Sequence, residues 1–354
     1  MRDLMDDGFG TSHDLPPELH RSDVHAPGYA RRPAPDGGFA YFDLEGALLT
    51  DAAHVDRIRR LAIPPAWRDV WISPDPAGHV QATGVDTRGR RQYRYHSLWR
   101  AERDAEKFGH MLVFASALPR LRRACHAALS RPHLDRDRVS ACAVRITELG
   151  MFRIGSERYA MEDHTYGVTS IEKRHLRVGP REAVFDYAAK FGKRRTVRIV
   201  DRDVLHTLRA LRREGDPEVP ALFTYRHGDR WHHLTTDELG AYVREQAGGH
   251  FTVKEFRTWN ATLLMALALS SVPPTNSLRL RRRAVVAGIR EVAAWLGDTP
   301  AVARSSYVDP AVIELFETTG ALGDIVPSPV ALPVDPQAEL AVMRALTQVH
   351  AASS

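Results

Sequence analysis

The spacing of apolar residues changes near residue 100, and this change constrains the fold more than any other feature of the sequence. Between residues 39 and 99, short apolar runs alternate with turn signals around Gly78 and Gly89, a pattern typical of β-hairpins. Beyond residue 100, apolar residues recur at helical spacing over long segments. We therefore expect an α+β protein, in which a small β-rich domain is followed by a mainly helical one.

The same patterns divide the chain into four segments. Residues 1–38 are rich in Pro, Gly, Asp and Arg and are predicted to form an extended N-terminal arm. Residues 39–100 form the β-rich domain, and residues 101–325 form the helical domain. Residues 326–354 are first Pro-rich and then amphipathic, so we expect a C-terminal tail with a short helix.

Two features of the helical domain bear on its function. The β-like sequences VTSI, HLRV, AVFDY and TVRIV interrupt the helices between residues 166 and 200. Further on, one helix is expected to end at Gly297, and Thr299-Pro300 opens a short one. Tyr307 then follows this short helix, directly before another helix start at Asp309-Pro310.

Charge and cysteine content narrow the class of protein. With a formal charge of +5 and a pI near 9.3, the chain is mildly basic, which fits either nucleic-acid binding or a general bias toward arginine. The two cysteines, Cys125 and Cys142, allow neither a disulfide framework nor a cysteine-rich zinc site. There is no run of about 18 apolar residues, and the N-terminus lacks a signal peptide's apolar core. We therefore expect a cytoplasmic protein with no membrane partner.

Lysine is rare in this chain, and its positions are informative. Of 49 basic residues only five are lysines, and two of them, Lys190 and Lys193, lie in FDYAAKFGKRRTVRIV at residues 185–200. Arginine has a pKa above about 12 and is a poor proton donor, whereas neighbouring cations can lower a lysine pKa from about 10.4 until its proton is transferable. A chain that otherwise uses arginine is expected to keep lysine where a titrating ammonium is needed, although five lysines must fall somewhere.

Four residues form a chemically coherent set. They are, in chain order, Arg153 in GMFRIGSERY, Lys190 in AAKFGKRR, Arg257 in KEFRTWN and Tyr307 in RSSYVDP. Each alone has an ordinary explanation, such as a solvated charge on a helix or a packed tyrosine. Together they provide a tyrosine that can attack a phosphodiester, two guanidiniums that can hold its non-bridging oxygens, and an ammonium that can protonate the leaving oxygen.

These motifs, in this order and approximate spacing, resemble those of type IB DNA topoisomerases, specifically the short poxvirus-like bacterial branch. The resemblance covers roughly residues 39–320 and includes IPPAWRDVWISPDPAGHVQATGVDTRGRRQYRYH, which is similar to the family's N-terminal β-domain. It implies a catalytic domain of the kind shared by tyrosine recombinases and type IB topoisomerases, with a short β-hairpin that carries the catalytic lysine. It also implies that GRRQYRYH lies on duplex DNA. The residues expected to contact DNA are Arg91, Gln92, Tyr93, Tyr95, Lys193 and Lys254.

The resemblance also implies a mechanism. Tyr307 would be the nucleophile that forms a 3′-phosphotyrosyl link and frees a 5′-hydroxyl. Arg153 and Arg257 would clamp the scissile phosphate, and Lys190 would act as the general acid. The supercoiled duplex then rotates around the intact strand, and the 5′-hydroxyl attacks back. Because the phosphotyrosine preserves the bond energy, no ATP, metal or other cofactor is expected. A monomer that acts on supercoiled duplex DNA in the cytoplasm, at the nucleoid, is expected.

Two positions leave alternatives open. FDYAAK superposes on the family's strand-then-lysine pattern with Lys190 as the acid and Lys193 across the turn on DNA, but a register three residues away would exchange them. Asp298, in LGDTP, stands where the family commonly has histidine, or asparagine in bacterial members. An ionised carboxylate cannot donate a hydrogen bond to a phosphate oxygen. Asp298 is therefore expected either to be protonated when DNA is bound or to turn away.

The nearest alternative function is that of a tyrosine site-specific recombinase or integrase, which shares the Arg, Lys, Arg, Tyr chemistry. Recombinases place a histidine three residues before their second arginine, whereas here Lys254 precedes Arg257 at that spacing. The N-terminal β-block also favours a topoisomerase. A non-enzymatic DNA-binding protein with a decayed site is a further alternative, and the intact Tyr307, Lys190 and two arginines argue against it.

Overall fold

The structure, a computed structural model, describes residues 15–35, 37–155, 157–162, 164–322, 325 and 329–353. It divides into two compact units, Met1–Lys107 and Phe108–Ser354. Residues 1–14 and 36 of the predicted arm lie outside the described residues, as do residues 326–328 and 354 of the predicted tail. One unit is built on an antiparallel sheet and the other is mainly helical, so the predicted α+β class is confirmed.

In the described part of the first unit, a helix packs on a five-stranded antiparallel sheet. The elements are, in chain order, β1 (Tyr29–Pro33), β2 (Phe39–Phe42), α1 (Ala52–Arg60), β3 (Arg68–Ile72), β4 (Val80–Val85) and β5 (Arg91–Tyr95). In space the strands follow the order β2-β1-β3-β4-β5, which leaves β5 at one edge. A small core forms where Ile58 of α1 packs with Val70, Ile72 and Ala82 of the central strands.

The sheet begins earlier in the chain than the sequence indicated. Tyr29–Pro33, which falls within the predicted arm, is the strand that pairs with both β2 and β3. Arg31 on this strand is partly buried, and its guanidinium donates to the carbonyls of Ile63, Pro64 and Trp67 at 2.8–3.1 Å. An arginine in a strand makes the sequence look polar. Here the charge can face into the domain because these carbonyls satisfy it.

The second unit is mainly helical. Helix α2 (Ser97–Leu129) contains the division between the units. The remaining elements are α3 (Arg136–Gly150), α4 (Glu157–Glu162), β6 (Leu176–Val178), β7 (Ala183–Ala188), β8 (Arg194–Ile199), α5 (Arg202–Glu214), β9 (Thr224–His227), β10 (Arg230–His233), α6 (Thr236–Ala247), α7 (Lys254–Ser270), α8 (Leu278–Leu296), α9 (Pro300–Ser306), α10 (Pro310–Thr319) and α11 (Pro336–Ser353). None of the helices within the described ranges combines the length and the apolar character that crossing a bilayer requires.

Helix α7 lies at the centre of the helical unit. Every residue from Phe256 to Leu267 is buried, including the polar Arg257 and Asn260. A helix that is buried all round needs neighbours on every side, and α3, α8, α10 and α11 contact it. The predicted site residue Arg257 is therefore part of the core.

Three of the four β-like segments form strands, and the fourth does not. HLRV, AVFDY and TVRIV become the three-stranded sheet β6-β7-β8, in which β7 and β8 form an antiparallel hairpin. VTSI instead forms a 3₁₀ turn over Val168–Ser170, so the expectation of a strand there is wrong. The Ser170 hydroxyl accepts a hydrogen bond from the Gly167 N–H at 3.1 Å, and such local side-chain bonds favour a turn over a strand.

Candidate active site

Arg153 lies in a loop that begins where α3 ends. Met151, which is buried and left-handed with a φ of 51°, caps α3 and turns the chain. The carbonyls of Arg153 and Ile154 then accept hydrogen bonds from the N–H groups of Val168 and Thr169 at 2.7 and 2.8 Å. The loop is thus fixed to the 3₁₀ turn through its backbone, while the Arg153 side chain stays partly exposed.

The glycine of the FRIG motif is required by this packing. Gly155 has a φ of +96°, a conformation that other residues rarely adopt. Its partner in the turn is Gly167, where a Cβ would lie 2.4 Å from the backbone nitrogen of Gly155. The two glycines therefore allow the backbone on the C-terminal side of Arg153 to touch the turn.

Arg257 reaches the site from the buried helix α7. Its Nη1 donates to the Met151 carbonyl, and its Nη2 donates to the Leu296 carbonyl at 3.2 Å. Burial lowers the pKa of the Arg257 guanidinium, nearby Tyr307 works in the opposite direction, and the positive charge of Arg153 lowers it further. Lys254, at the start of the same helix, is exposed.

Asp298 joins the two arginines. Arg153 Nη2 donates to both of its carboxylate oxygens at 2.7 and 2.6 Å, and Arg257 Nη2 donates to Oδ2 at 2.8 Å. Helix α8 ends at the left-handed Gly297, and the Asp298 N–H donates to the Ala293 carbonyl at 3.0 Å. The end of α8 therefore aims this carboxylate at both guanidiniums, where it is largely buried.

Tyr307 lies against Arg257. It caps the C-terminal end of α9, and the Arg257 Cζ atom is 4.8 Å from the centroid of its ring. The hydroxyl of Thr262, on α7, donates to the Tyr307 carbonyl at 3.2 Å and accepts from the Asp309 N–H at 3.0 Å. The backbone around Tyr307 is therefore tied to the same helix that carries Arg257.

Both candidate lysines lie in the turn between β7 and β8. Lys190 begins a 3₁₀ turn directly after Ala189, and Lys193 precedes β8, with the Ala189 N–H donating to the Lys193 carbonyl at 2.8 Å. Both lysine side chains are exposed. The fold thus links Arg153, Arg257, Asp298 and Tyr307 by direct contacts. It places both lysines on a neighbouring hairpin and does not decide which of them is the acid.

The DNA-contact residues predicted in the first unit lie on the edge strand β5. Tyr93 and Tyr95 share one face, with ring centroids 5.9 Å apart and planes inclined by 16°. Gln92 alternates to the other face of the strand, and its amide donates to the Asp86 carboxylate at 3.1 Å. Arg91 donates to the Thr83 hydroxyl at 3.5 Å. The two tyrosines therefore form an aromatic platform that Gln92 does not share.

An open cleft of about 690 Å³ adjoins these tyrosines. Its lining is basic and aromatic and includes Arg57, Arg60, Arg94, Arg100, Tyr93 and Tyr95. Guanidiniums beside aromatic rings suit a nucleic-acid backbone, because they bind phosphates and leave the rings to contact sugars or bases. Arg94 belongs to the GRRQYRYH segment that is expected to lie on DNA, whereas nothing in an arginine-rich sequence distinguishes Arg57, Arg60 and Arg100 before the sheet is formed.

The helical unit also contains a candidate residue that no sequence motif marks. Arg195, on β8, donates to the carbonyls of Gly150, Met151 and Trp295. These carbonyls lie shortly before Arg153 and Asp298 in the chain. Within the described residues, no group of three His, Cys, Asp or Glu side chains is arranged to hold a metal ion.

Comparison with known proteins identifies the family. The family described as "Eukaryotic DNA topoisomerase I, catalytic core" matches residues 96–319, which is more than half of the chain and contains every candidate residue of this site. The family described as "Bacterial DNA topoisomerase IB, N-terminal domain" matches residues 38–86. The chain belongs to the type IB DNA topoisomerases.

Two viral relatives are named DNA topoisomerase 1B. The chain is 30% identical over 285 residues to the DNA topoisomerase 1B of Acanthamoeba polyphaga mimivirus, which covers 79% of this chain and 84% of the relative. It is 20% identical over 240 residues to the DNA topoisomerase 1B of vaccinia virus (strain Copenhagen), covering 66% and 71%. The predicted family is confirmed, and these matches favour a topoisomerase over the recombinase alternative.

Proposed function

We propose that this topoisomerase relaxes supercoiled duplex DNA through a transient break in one strand, with Tyr307 as the nucleophile. In this proposal Arg153 and Arg257 hold the scissile phosphate. The observation that carries it is the convergence of both arginines on one carboxylate, with the Arg257 guanidinium also lying against the Tyr307 ring. Two guanidiniums that hold one anion, one of them in contact with a tyrosine, are suited to a phosphodiester.

Asp298 occupies the position that this proposal gives to the phosphate. Its two oxygens accept N–H groups from both arginines, as two non-bridging phosphate oxygens would. A carboxylate and a phosphate cannot both remain there, because two anions at contact distance repel each other strongly in a partly buried site. We therefore expect the Asp298 side chain to move aside or to bind a proton when the strand enters.

The proposed cleavage step exchanges one phosphodiester bond for another. The Tyr307 oxygen attacks phosphorus and loses its proton to water, and the bond from phosphorus to the 5′-oxygen breaks. Lys190 protonates the departing 5′-oxygen, while the two arginines stabilise the charge that develops on the non-bridging oxygens. After the duplex has rotated about the intact strand, the 5′-hydroxyl attacks the phosphotyrosine and the strand is resealed.

This chemistry sets the remaining requirements of the reaction. Because the phosphotyrosyl link retains the energy of the broken bond, the proposal requires neither ATP nor a metal.

The proposal also covers the substrate and the working form of the protein. The substrate is duplex DNA and the working form is a monomer, located in the cytoplasm at the nucleoid. The proposed contacts to DNA are made by Arg91, Gln92, Tyr93, Tyr95, Lys193 and Lys254.

The test is relaxation of a supercoiled plasmid in EDTA without nucleotide, with the parent protein and with Tyr307→Phe. We expect the parent to relax the plasmid and to form a covalent DNA adduct. Tyr307→Phe should bind DNA but form no adduct, because only the attacking oxygen is lost. Tyr41→Phe, which removes a hydroxyl from the first unit, is the control and should behave as the parent. A strict requirement for Mg²⁺ and ATP, or relaxation by Tyr307→Phe, would contradict the proposal.

A further inference from the structure

We propose that Arg195 is a positioning residue for strand cleavage. Its guanidinium joins the loop that carries Arg153, the end of the helix before Asp298 and the hairpin that carries Lys190. The inference rests on the proposed function, because it assigns Arg195 to the same phosphate site. It adds a residue that acts through the backbone on Arg153 and Arg257, the two arginines of the phosphate clamp, and does not touch the phosphate.

The contacts of Arg195 go to two separate helix ends. Its Nη1 donates to the Met151 carbonyl at 3.0 Å, and its Nη2 donates to the carbonyls of Gly150 and Trp295 at 2.7 and 2.8 Å. Gly150 is the last residue of α3, and Trp295 lies in the last turn of α8. The final carbonyls of a helix have no partner within the helix, and they form the negative end of its dipole. One cation therefore holds the C-terminal ends of two helices together, and each end leads directly into a residue of the candidate site.

A shared carbonyl couples Arg195 to the clamp itself. The Met151 carbonyl accepts a hydrogen bond from Arg195 and also one from Arg257. Arg153 follows Met151 by only two residues. A displacement of the Met151 peptide would therefore change the position of both clamp arginines at once.

Arg195 also joins the β7–β8 hairpin to the Arg153 loop through Tyr187 and Phe152. Arg195 pairs across the hairpin with Tyr187, whose ring stacks on Phe152 at a centroid distance of 5.6 Å and an angle of 12°. The Arg195 Cζ atom is itself 5.7 Å from the centroid of the Phe152 ring. Phe152 directly precedes Arg153, so Arg195 and Tyr187 together set where the hairpin, with Lys190 at its turn, meets the Arg153 loop.

Only arginine can make this set of contacts. Its planar guanidinium presents donors in a fixed fork, so one side chain reaches three carbonyls that point from two directions. A lysine ammonium would keep the charge, but it is a single point on a flexible stem and cannot hold both helix ends in the same geometry. Since both terminal nitrogens of Arg195 face backbone carbonyls, replacing the residue is expected to misplace the clamp without removing a contact to DNA.

The experiment compares Arg195→Lys with Arg198→Lys. Arg198 lies on the same strand, and its exposed side chain pairs with Glu182, so the control makes the same chemical change away from the helix ends. The rate of covalent adduct formation is measured at saturating DNA, and DNA affinity is measured separately with each change placed in Tyr307→Phe. We expect Arg195→Lys to cleave roughly 10²-fold more slowly with nearly unchanged DNA affinity, since small misplacements of catalytic groups have effects of this size. Arg198→Lys should match the parent in both measurements.

Several outcomes would overturn the inference. Parent-like cleavage by Arg195→Lys does so directly, and a normal rate with weakened affinity would make Arg195 a DNA contact. If the parent forms no covalent adduct, the proposed function fails and this inference fails with it, whereas an active parent with an equally active Arg195→Lys removes only the inference. Should Arg195→Lys not fold, Arg195→Ala is assayed with added guanidinium ion, and ammonium at equal concentration serves as the control. Recovery of cleavage by guanidinium alone supports the role, and equal rates with both ions contradict it.

Discussion

Arg153 and Asp298 are 145 positions apart in the chain, yet one guanidinium nitrogen of Arg153 donates to both carboxylate oxygens of Asp298, at 2.7 and 2.6 Å. The same carboxylate accepts from Arg257, whose guanidinium is buried. Asp298 thus compensates two positive charges in the folded protein. In the proposed reaction it competes with the phosphate for the same donors. Its effects on stability and on chemistry should therefore have opposite signs.

Asp298→Asn separates these two effects. The amide removes the negative charge that opposes the phosphate, so single-turnover cleavage at neutral pH should match or exceed that of the parent. The same change weakens charge-assisted hydrogen bonds to the arginines and should lower the free energy of unfolding by about 2 kcal/mol, measured by urea denaturation. Glu182→Gln, which changes an exposed carboxylate paired with Arg198, is the control. A large loss of cleavage in Asp298→Asn would show that the carboxylate contributes positively to the reaction.

Arg153→Ala and Arg257→Ala should each slow cleavage by roughly 10²-fold or more, as expected when one donor to a developing oxyanion is removed. Their effects on stability should differ. Arg257 donates to the buried Met151 and Leu296 carbonyls. Arg195 also donates to the Met151 carbonyl, so removal of Arg257 takes the side-chain donor from the Leu296 carbonyl in the core. Adduct formation and thermal melting of both variants test this. Cleavage within a few-fold of the parent would reduce either residue to a packing role, and equal melting temperatures would contradict the stability difference.

Lys190→Arg keeps the positive charge of the side chain but removes a proton that can be transferred. Cleavage should fall by roughly 10²–10⁴-fold, the range associated with general acid catalysis. The variant should recover most of its rate on DNA whose leaving 5′-oxygen is replaced by sulfur, because sulfur departs without protonation.

Lys193→Arg is the matched control for that experiment and should cost little, since a contact to phosphate tolerates either cation. If Lys193→Arg is instead the slow variant that sulfur rescues, the roles of the two lysines are exchanged and the mechanism stands. If sulfur rescues neither variant, the proton comes from another group.

His350→Ala tests whether the C-terminal helix supports Tyr307, the proposed nucleophile. His350, on α11, contacts the buried carboxylate of Asp309 at 2.8 Å, and Asp309 caps α10 two residues after Tyr307. Removing the imidazole should lower the free energy of unfolding by about 1–3 kcal/mol, measured by urea denaturation, because a buried carboxylate loses a partner. Cleavage should also slow several-fold as the Tyr307 segment loosens. His126→Ala, at an exposed His–Asp pair with Asp203, should change neither quantity. Unchanged stability and cleavage in His350→Ala would show that α11 is dispensable for the site.

Local signals in the sequence were sufficient to predict much of the fold of this protein. The change from period-two to helical spacing predicted the α+β class, and the Gly297 and Thr299-Pro300 signals predicted the helix end and start that flank Asp298. The motifs around Arg153, Arg257 and Tyr307 predicted residues that the fold brings into contact. The predictions of the fold class and of these helix ends succeeded because each depended on a short segment with its own physical signature, whereas the roles of the three site residues stay predictions.

The features that the sequence did not reveal depend on contacts between distant segments. Arg195 resembles every other arginine until the hairpin register places it opposite Tyr187 and against two helix ends. Strand β1 was missed because Arg31 is satisfied by carbonyls more than thirty residues away. The orientation of Asp298 toward two arginines could not be foreseen either, since the resemblance compared its residue type and not its contacts.

The burial of Arg257 in helix α7 also bears on whether a partly folded copy of the protein could cut DNA. An enzyme that opens a DNA strand is dangerous to its cell if a damaged or half-folded copy cuts without resealing. Here a guanidinium of the proposed cleavage site lies in the core, held by the Met151 and Leu296 carbonyls from two other parts of the chain. Those contacts exist only when α3, α7 and α8 are packed together, so a partly folded chain has no aligned clamp. In the proposed reaction, a chain that has not completed its core would therefore be unable to start a cut.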